Sequence, residues 1–397
     1  MIVNHPLFAV MSVAVAAPLL AELPVGKRVP VVVLEVILGI VIGPSVLGWL
    51  QPVPFVLAMH VAGMAAMLFM AGMEIDFGKI RGRPVILGLG GWVLSAALAF
   101  AAVALLHVIP GVHAPMMVTI ALTTTILGVL LPMLRDGGEL DAPFGRLLMA
   151  CGTVGEIAPI IAVSLALSTS YSTWREFLFL LAFFGLVGVS AMVSAGARPP
   201  RLLALLARSL RSSTQLPVRL ALLILAGMVV LAKELGFEGI LGAFAAGMVI
   251  GLAARGKEGE PFRAKIDAIA FGWLTPFFYV GTGMQFDLSA LTRDLTTMLL
   301  VPALLVLLLL VRGLPVLLYR RDLSGPERLP FALCSSVASL GLVVVITQIG
   351  LHAKRMNGDV AQALVAAALL SLLLYPTLAG VMLSMRRRFA ESPGDAM

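Results

Sequence analysis

The chain of 397 residues is 60 % apolar, only 12 % charged, and carries a net charge of +7. With a mean hydropathy of +1.04, it holds more apolar surface than a water-soluble domain of this size can hide, so its solvent is lipid. Its two cysteines, Cys151 and Cys334, each lie inside an apolar run, which excludes a disulfide framework and a paired-cysteine metal motif. The basic residues sit in short loops between apolar runs, as membrane topology requires, so the positive charge does not point to nucleic acid.

Runs of about 20 apolar residues, each long enough to cross a bilayer as a helix, recur along the whole length. They place thirteen spans at 8–23, 29–50, 53–73, 84–108, 115–134, 147–169, 177–195, 216–232, 237–254, 269–284, 297–319, 330–351 and 360–385. No basic region leads the first of these, and further spans follow at once, so it is not a cleaved signal peptide. Of the 28 Lys and Arg residues, only Arg175, Lys233, Arg293, Lys354 and Arg355 follow even-numbered spans, and Arg312 lies inside one. The rest follow odd-numbered spans, which sets the amino terminus outside and the carboxyl terminus in the cytoplasm of a multi-pass inner (plasma) membrane protein. Between Pro199 and Gln215, leucines interleave with Arg201, Arg208 and Arg211. That pattern fits an amphipathic helix on the anionic leaflet; a solvated basic loop is the alternative. The residues after Met385 read as a short polar tail.

Span 6 contains one charged side chain, Glu156, flanked by Gly155 and Pro159. A carboxylate at such a place costs about 2–4 kcal/mol to insert, and residues of this kind usually face a bundle interior or watery cavity and carry an ion or proton. The alternative is a structural acid paired with a neighbouring helix. At the helical rise, Glu156 lies about 15 Å beyond Arg146, near the midplane. Span 5 carries Thr119 and the run Thr123, Thr124, Thr125, and span 12 carries Ser335, Ser336, Ser339 and Gly341 at similar depth. Small hydroxyl residues at mid-membrane in two oppositely directed spans point to an inverted-repeat transporter whose interrupted helices cross at the ion site; packing through small residues is the plainer reading. Arg312, inside span 11, either joins that site or snorkels to the surface. Glu35, in span 2, either snorkels or lines a cytoplasmic funnel.

These spans resemble the monovalent cation:proton antiporters, in particular the Kef-type potassium/proton exchanger branch of the sodium/proton exchanger superfamily. The resemblance is carried by VPVVVLEVILGIVIGPSVLGWL in span 2, AAMLFMAGMEID ending at Asp76, GILGAFAAGMVIG from Gly239, and PFFYVGTGMQFDL from Pro276. It implies an all-α polytopic fold of about 13 transmembrane helices with two broken crossing helices, and a secondary transporter rather than an enzyme. Its activity would be the exchange of protons for Na⁺ or K⁺ by alternating access, serving ion and pH homeostasis. Glu156 would bind the transported cation or proton, with Thr124, Thr125, Ser335, Ser336 and Ser339 at the crossing and Arg312 balancing charge.

No cofactor is implied. The partners are lipid, the cations themselves and a second copy of the chain in a homodimer. Residues 1–107 would supply panel helices and the first core helix, 108–170 core helices with the ion site, and 171–215 a linker with the interfacial segment. Second panel helices would follow at 216–290, second core helices at 291–386, and a disordered tail at 387–397. The pair Gly155-Glu156 stands where relatives commonly carry Asp-Asp, Asn-Asp or Gln-Asp, and no regulatory nucleotide-binding domain is expected after the last span.

One carboxylate holds either a proton or a cation, and crossing empty would carry unpaired charge through an apolar barrier, which is what couples the two ions. With one acid at the crossing, the expected exchange is electroneutral. The rival activity is a sodium-coupled symporter of a small organic solute on a related fold. A channel is disfavoured because nothing resembles a carbonyl filter. An intramembrane enzyme is disfavoured because His5, His60, His107, His113 and His352 all fall toward the external face, with no H-E-x-x-H.

Overall fold

A computed structural model of the protein describes residues 5–23, 29–74, 82–106, 115–127, 129–130, 133–134, 138–140, 142–167, 185, 209, 212–235, 237–254, 259–289 and 295–391. Among them the structure is all helical. The helices are α1 (Pro6–Glu22), α2 (Val31–Ile42), α3 (Pro54–Glu74), α4 (Arg83–Leu106), α5 (Pro115–Leu122), α6 (Pro143–Leu167), α7 (Leu216–Glu234) and α8 (Gly239–Ala253). There follow α9 (Glu260–Ile269), a π-helical turn (Ala270–Leu274), α10 (Thr275–Met284), α11 (Leu295–Gly313) and a 3-10 segment (Leu314–Tyr319). The chain closes with α12 (Gly325–Ser335), α13 (Leu340–His352) and α14 (Gly358–Glu391).

Each expected span but the seventh overlaps one of these elements or a bent pair, span 5 being given as a helix only over its first eight residues, α5. The seventh, at 177–195, and the interfacial segment before residue 209 lie outside the described residues. Among the described residues six helices are long and apolar enough to cross a membrane, and α12–α13, bent by 42° at their break, form one further span. Two boundaries differ from expectation. Span 2 was expected to run to residue 50, but α2 stops at Ile42. Gly43 is extended (φ −72°, ψ −178°) because Pro44 disfavours helical backbone in the residue before it. At the other end, α14 runs through Glu391, past residue 386.

The chain packs as two compact units. One comprises Met1–Met11, Pro52–Phe77 and Ile160–Gly281; the other comprises Ser12–Gln51, Gly78–Pro159 and Thr282–Met397.

The first unit is built on backbone-to-backbone approach. In α8 every residue from Ile240 to Gly251 is buried, as expected of a helix that is apolar on all sides. Small residues let its neighbours come close. A Cβ on Gly247 would lie 2.0 Å from the carbonyl oxygen of Phe69, one on Gly72 2.1 Å from that of Phe244, and one on Gly242 2.2 Å from that of Met228. Thus α3 and α7 both rest directly on α8. Arg263 closes the far end of α8, donating from Nε to the Ala254 carbonyl (3.1 Å) and from Nη2 to that of Gly251 (3.0 Å). It thereby serves carbonyls that the last turn of a helix leaves unsatisfied. His60 was placed toward the external face by its position in the chain; it is buried in α3, stacked on Phe278 with Nδ1 3.0 Å from the Phe278 carbonyl oxygen.

The second unit contains α2, α4, α5, α6 as far as Pro159, and α11 to α14. Its centre is α13, buried from Leu340 to Thr347, against α14 and α5. Tyr375 of α14 donates to the Leu305 carbonyl of α11 (2.6 Å). At one rim Arg83 grips Asp322 through two hydrogen bonds, 2.8 and 3.0 Å, and holds that carboxyl below the ordinary aspartate range. The start of α12 is fixed by Glu327, whose carboxylate accepts both the backbone N–H and the hydroxyl of Ser324.

A methyl group at residue 247 must displace backbone, not a flexible side chain. Gly247→Ala is therefore expected to destabilise the protein by about 1–3 kcal/mol, the usual cost of overpacking. Gly227→Ala, in α7 where an added Cβ meets nothing within 4 Å, should be neutral or stabilising by about 0.5–1 kcal/mol. Thermal unfolding of both variants in detergent checks the pair.

Candidate functional site

Two helices break opposite one another in the second unit. After Leu122 the chain leaves helical geometry over 123–126, and after Ser335 it does so over 336–339. The side chains present at these points compete with the helix for its own carbonyls. Thr123 Oγ1 donates to the Ile120 carbonyl (2.7 Å) and Thr124 Oγ1 to that of Ala121 (2.9 Å). Ser335 and Ser336 both donate to that of Ala332, at 3.0 and 2.6 Å. The hydroxyl runs thus cap the carboxyl ends of α5 and α12, on which the helical N–H donors of a continuing helix are missing.

The freed amides find partners across the crossing. Ile126 N–H donates to the Val337 carbonyl (3.1 Å), tying one break to the other. Thr125 N–H donates to the Gly155 carbonyl of α6 (3.1 Å). That carbonyl is available because its helical partner would be residue 159, a proline with no N–H. Leu127 N–H donates to Oε1 of Glu156 (3.0 Å), Ser339 N–H to Oγ1 of Thr124 (3.3 Å), and Ala338 N–H to Oγ of Ser371 on α14 (3.1 Å). In a medium without water each such amide left alone costs several kcal/mol, so these bonds are what allow the breaks to exist.

Arg312 sits on the other side of the same crossing, 2 % exposed. Its Nε and Nη2 both donate to Thr125 Oγ1 (2.9 and 2.6 Å), and Nε reaches the Ser335 carbonyl at 3.4 Å. Nη1 donates to Ser95 Oγ of α4 (3.3 Å) and Nη2 to Cys151 Sγ of α6 (3.5 Å). Thr125 donates its hydroxyl proton to the Ser335 carbonyl (2.7 Å), and the Ser335 hydroxyl, 3.0 Å from both the Ala332 and the Arg312 carbonyls, shares its one proton between them. The guanidinium does not snorkel. It lies against the carboxyl end of α12, where a cation is favoured by the negative end of the helix dipole. Glyine's small size matters at residue 155: a Cβ there would stand 2.7 Å from Arg312 Nη2 and 2.8 Å from Thr125 Cβ.

Of the residues singled out in the sequence, Glu156, Thr124, Thr125, Ser335, Ser336, Ser339 and Arg312 all fall within this hydrogen-bonded assembly or its two breaks. Ser339 precedes α13 in an extended conformation without a side-chain cap bond. Glu35 does not belong to the assembly: it is buried on α2 and takes part in none of the crossing's hydrogen bonds. Thr119 Oγ1 is buried without a hydrogen-bond partner among the described residues. Ser95, Cys151 and Ser371 were not anticipated. Ser95 and Ser371 are isolated hydroxyls in spans 4 and 13, the one weak mark they leave in the sequence. Among the described residues no three His, Cys, Asp or Glu side chains gather as a metal centre.

Arg312→Ala would take the charged donor from the Thr125 and Ser95 hydroxyl oxygens, and losing hydrogen bonds to a charged group in a buried site costs about 1–3 kcal/mol. Arg312→Lys keeps the charge but offers one point of attachment in place of a fork. The expected order of thermal stability in detergent is parent, then Lys, then Ala; equal stability of all three would mean that the guanidinium contributes nothing at the crossing.

The transmembrane sodium/hydrogen exchanger family model matches residues 10–384. The chain is 25 % identical over 397 residues to YjbQ of Bacillus subtilis, an alignment covering 93 % of this chain and 61 % of that protein. It is 25 % identical over 307 residues to the Na(+)/H(+)-K(+) antiporter GerN of Bacillus cereus, covering 77 % of this chain and 78 % of GerN. It is 25 % identical over 408 residues to the glutathione-regulated potassium-efflux system protein KefC of Klebsiella pneumoniae, covering 99 % of this chain and 63 % of that protein. This chain therefore spans less than two thirds of the length of YjbQ and of KefC. Among solved structures, the sodium proton antiporter MjNhaP1 of Methanocaldococcus jannaschii superposes with a TM-score of 0.67 at 17 % identity, over 97 % of this chain and 99 % of that one. Two interrupted helices crossing beside an acidic span, in a chain matched almost end to end by one family, place this protein in the transmembrane sodium/hydrogen exchanger family.

Proposed function

We propose that the protein exchanges protons for a monovalent cation, Na⁺ or K⁺, across the membrane by alternating access, with Glu156 as the shared binding group. The observation that carries this reading is the position of Glu156 beside the crossing, where its carboxylate takes the Leu127 amide at the start of the second half of span 5. Further support comes from relatives that are named as sodium/proton and sodium/proton–potassium antiporters.

The chemistry is a competition. In its ionised form Glu156 holds the Leu127 N–H and can accept a dehydrated cation, with oxygens of Thr124, Ser336 and Ser339 at the two breaks to replace water; the Thr125 hydroxyl is taken up by Arg312. In its protonated form it has no net charge to offer a cation. Each loaded state is free to cross, whereas the bare carboxylate carries unpaired charge through an apolar barrier. Arg312 stays committed to the Thr125–Ser335 side of the crossing, where it fixes the electrostatic background. The moving body in this reading comprises spans 4–6 and 11–13, and the panel comprises spans 1–3 and 8–10, which would also form a homodimer. What supports the first grouping is that the crossing, Glu156 and Arg312 all belong to one compact unit. The amino terminus outside and an inner-membrane location follow from the distribution of Lys and Arg.

Proteoliposomes with an internal pH dye test the assignment. Addition of Na⁺, K⁺ or Li⁺ should drive proton movement in the parent protein and none in Glu156→Gln, which keeps the shape and loses the ionisable group. Glu156→Asp should retain part of the activity. Full exchange by the Gln variant would sink the reading.

With one titrating acid at the crossing and residue 155 a glycine, one proton exchanges for one cation and no net charge moves. Clamping the vesicle potential with potassium and valinomycin, with Na⁺ or Li⁺ as substrate, should leave the reversal point of exchange where it was. A reversal point that shifts with voltage would reveal a second titrating group, with Glu35 the first to examine.

A further inference from the structure

Helix α14 is an apolar rod, and its one fully buried serine or threonine is Ser371, with 0 % exposure. Thr377 and Ser384 on this helix bond back to its own carbonyls, those of Leu373 and Val381. Ser371 does this too, donating to the Ala368 carbonyl at 2.8 Å. It also does something the others do not: its lone pair accepts the Ala338 amide, in the middle of the second break, at 3.1 Å. Because the hydroxyl proton is committed to Ala368, the oxygen is oriented as an acceptor, and the break meets it in only one arrangement.

The remaining amides of that break are held by other means. Those of Ser336 and Val337 close back onto Ala332, Leu333 and Cys334, and that of Ser339 reaches Thr124. The Ala338 amide is the one satisfied from α14. Its neighbour Val337 supplies the carbonyl that receives Ile126 N–H, the direct link between the two breaks. The position of α14 is therefore transmitted through a single hydrogen bond to the peptide unit that joins the crossing.

We infer that Ser371 is a positioning residue for cation binding: a strut from α14 that holds the 336–339 segment in its coordinating form. This rests on the exchange reading given above. Without the acceptor, the Ala338 N–H either turns toward the crossing, where its partial positive charge opposes a cation, or pulls the segment into another conformation that removes the Val337–Ile126 link. Both routes weaken cation binding. Neither alters the acid that carries the proton.

The test compares Ser371→Ala, Ser371→Cys and Ser371→Thr in proteoliposomes. Cys keeps the volume while replacing a strong acceptor by a weak one, and Thr keeps the acceptor. The apparent KM for the cation should rise in Ala and in Cys by about five-fold to fifty-fold, the range that an unpaired buried amide corresponds to. Vmax should stay within about two-fold of the parent, and Thr should restore the KM. A residue that served only to stabilise the fold would lower Vmax through loss of active protein and leave the KM alone. That outcome, or parental KM in both Ala and Cys, would overturn the inference.

Amide hydrogen exchange of the peptide covering 334–342, followed by mass spectrometry in detergent, gives a readout that does not need transport. It should quicken in Ala and Cys and match the parent in Thr; unchanged exchange in all three would overturn the strut. A parent that moves no proton with any cation would overturn the exchange reading instead, and the exchange of the 334–342 amides would then decide the role of Ser371 alone.

Discussion

Everything at the centre of this protein depends on one constraint: backbone that leaves helical geometry inside a bilayer must find every hydrogen-bond partner within the protein. Two spans are interrupted, and the interruptions face each other. Their amides are distributed over five sources: carbonyls of their own preceding turns, the opposite break, the Gly155 carbonyl, the Glu156 carboxylate and the Ser371 hydroxyl. None of these acceptors is replaceable without consequence, because each has a reason to be free. Gly155 has lost its helical partner to Pro159. Ser371 has spent its proton on Ala368. Glu156 is the one charged side chain of an otherwise apolar span. The crossing is thus a solution to a hydrogen-bonding constraint, and the same groups that make it stable make it polar.

Electrostatics divides the crossing into two sides. The half-helix α12 ends in carbonyls that carry partial negative charge, and Arg312 is fixed there by the Ser335 carbonyl and the doubly used Thr125 hydroxyl. The second half of span 5 begins with amides that carry partial positive charge, and Glu156 meets the Leu127 N–H there. Thr125 is the hinge of this arrangement. Its amide goes to α6, its hydroxyl proton to α12, and its lone pairs to the guanidinium. A side chain at residue 155 would enter this space, so the glycine is required by the close approach of Arg312 and Thr125.

The other compact unit follows a contrasting logic. Its helices α3, α7 and α8 touch through glycines whose Cβ would stand 2.0–2.2 Å from backbone oxygens, far inside van der Waals contact. Contacts of backbone on backbone do not adjust, since no rotamer can absorb a displacement. Such packing makes a stiff unit, whereas the second unit contains the crossing, Glu156 and Arg312.

The sequence by itself determined the solvent, the spans and the chemically marked residues. In a chain of this hydropathy each charge or hydroxyl at mid-membrane is expensive, so Glu156, Arg312 and the Thr123–Thr125 and Ser335–Ser339 runs stand out against their surroundings. What only the tertiary structure decided is which partner each group takes. Arg312 could have paired with an acid, snorkelled or met carbonyl ends; the folded chain puts it on Thr125, 187 residues away, and on Ser335. Ser95, Cys151 and Ser371 carry no mark that separates them from the packing serines and cysteines of any apolar helix. Their roles arise because folding brings Ser95 and Cys151 to the Arg312 guanidinium and Ser371 to the Ala338 amide, and a hydrogen bond is directional and short. Glu35 makes the converse point: it is as conspicuous in the sequence as Glu156, yet the bonds of the crossing do not include it. Cost of burial is a property of the residue and can be read along the chain, whereas satisfaction of a buried group is a property of its neighbours in space.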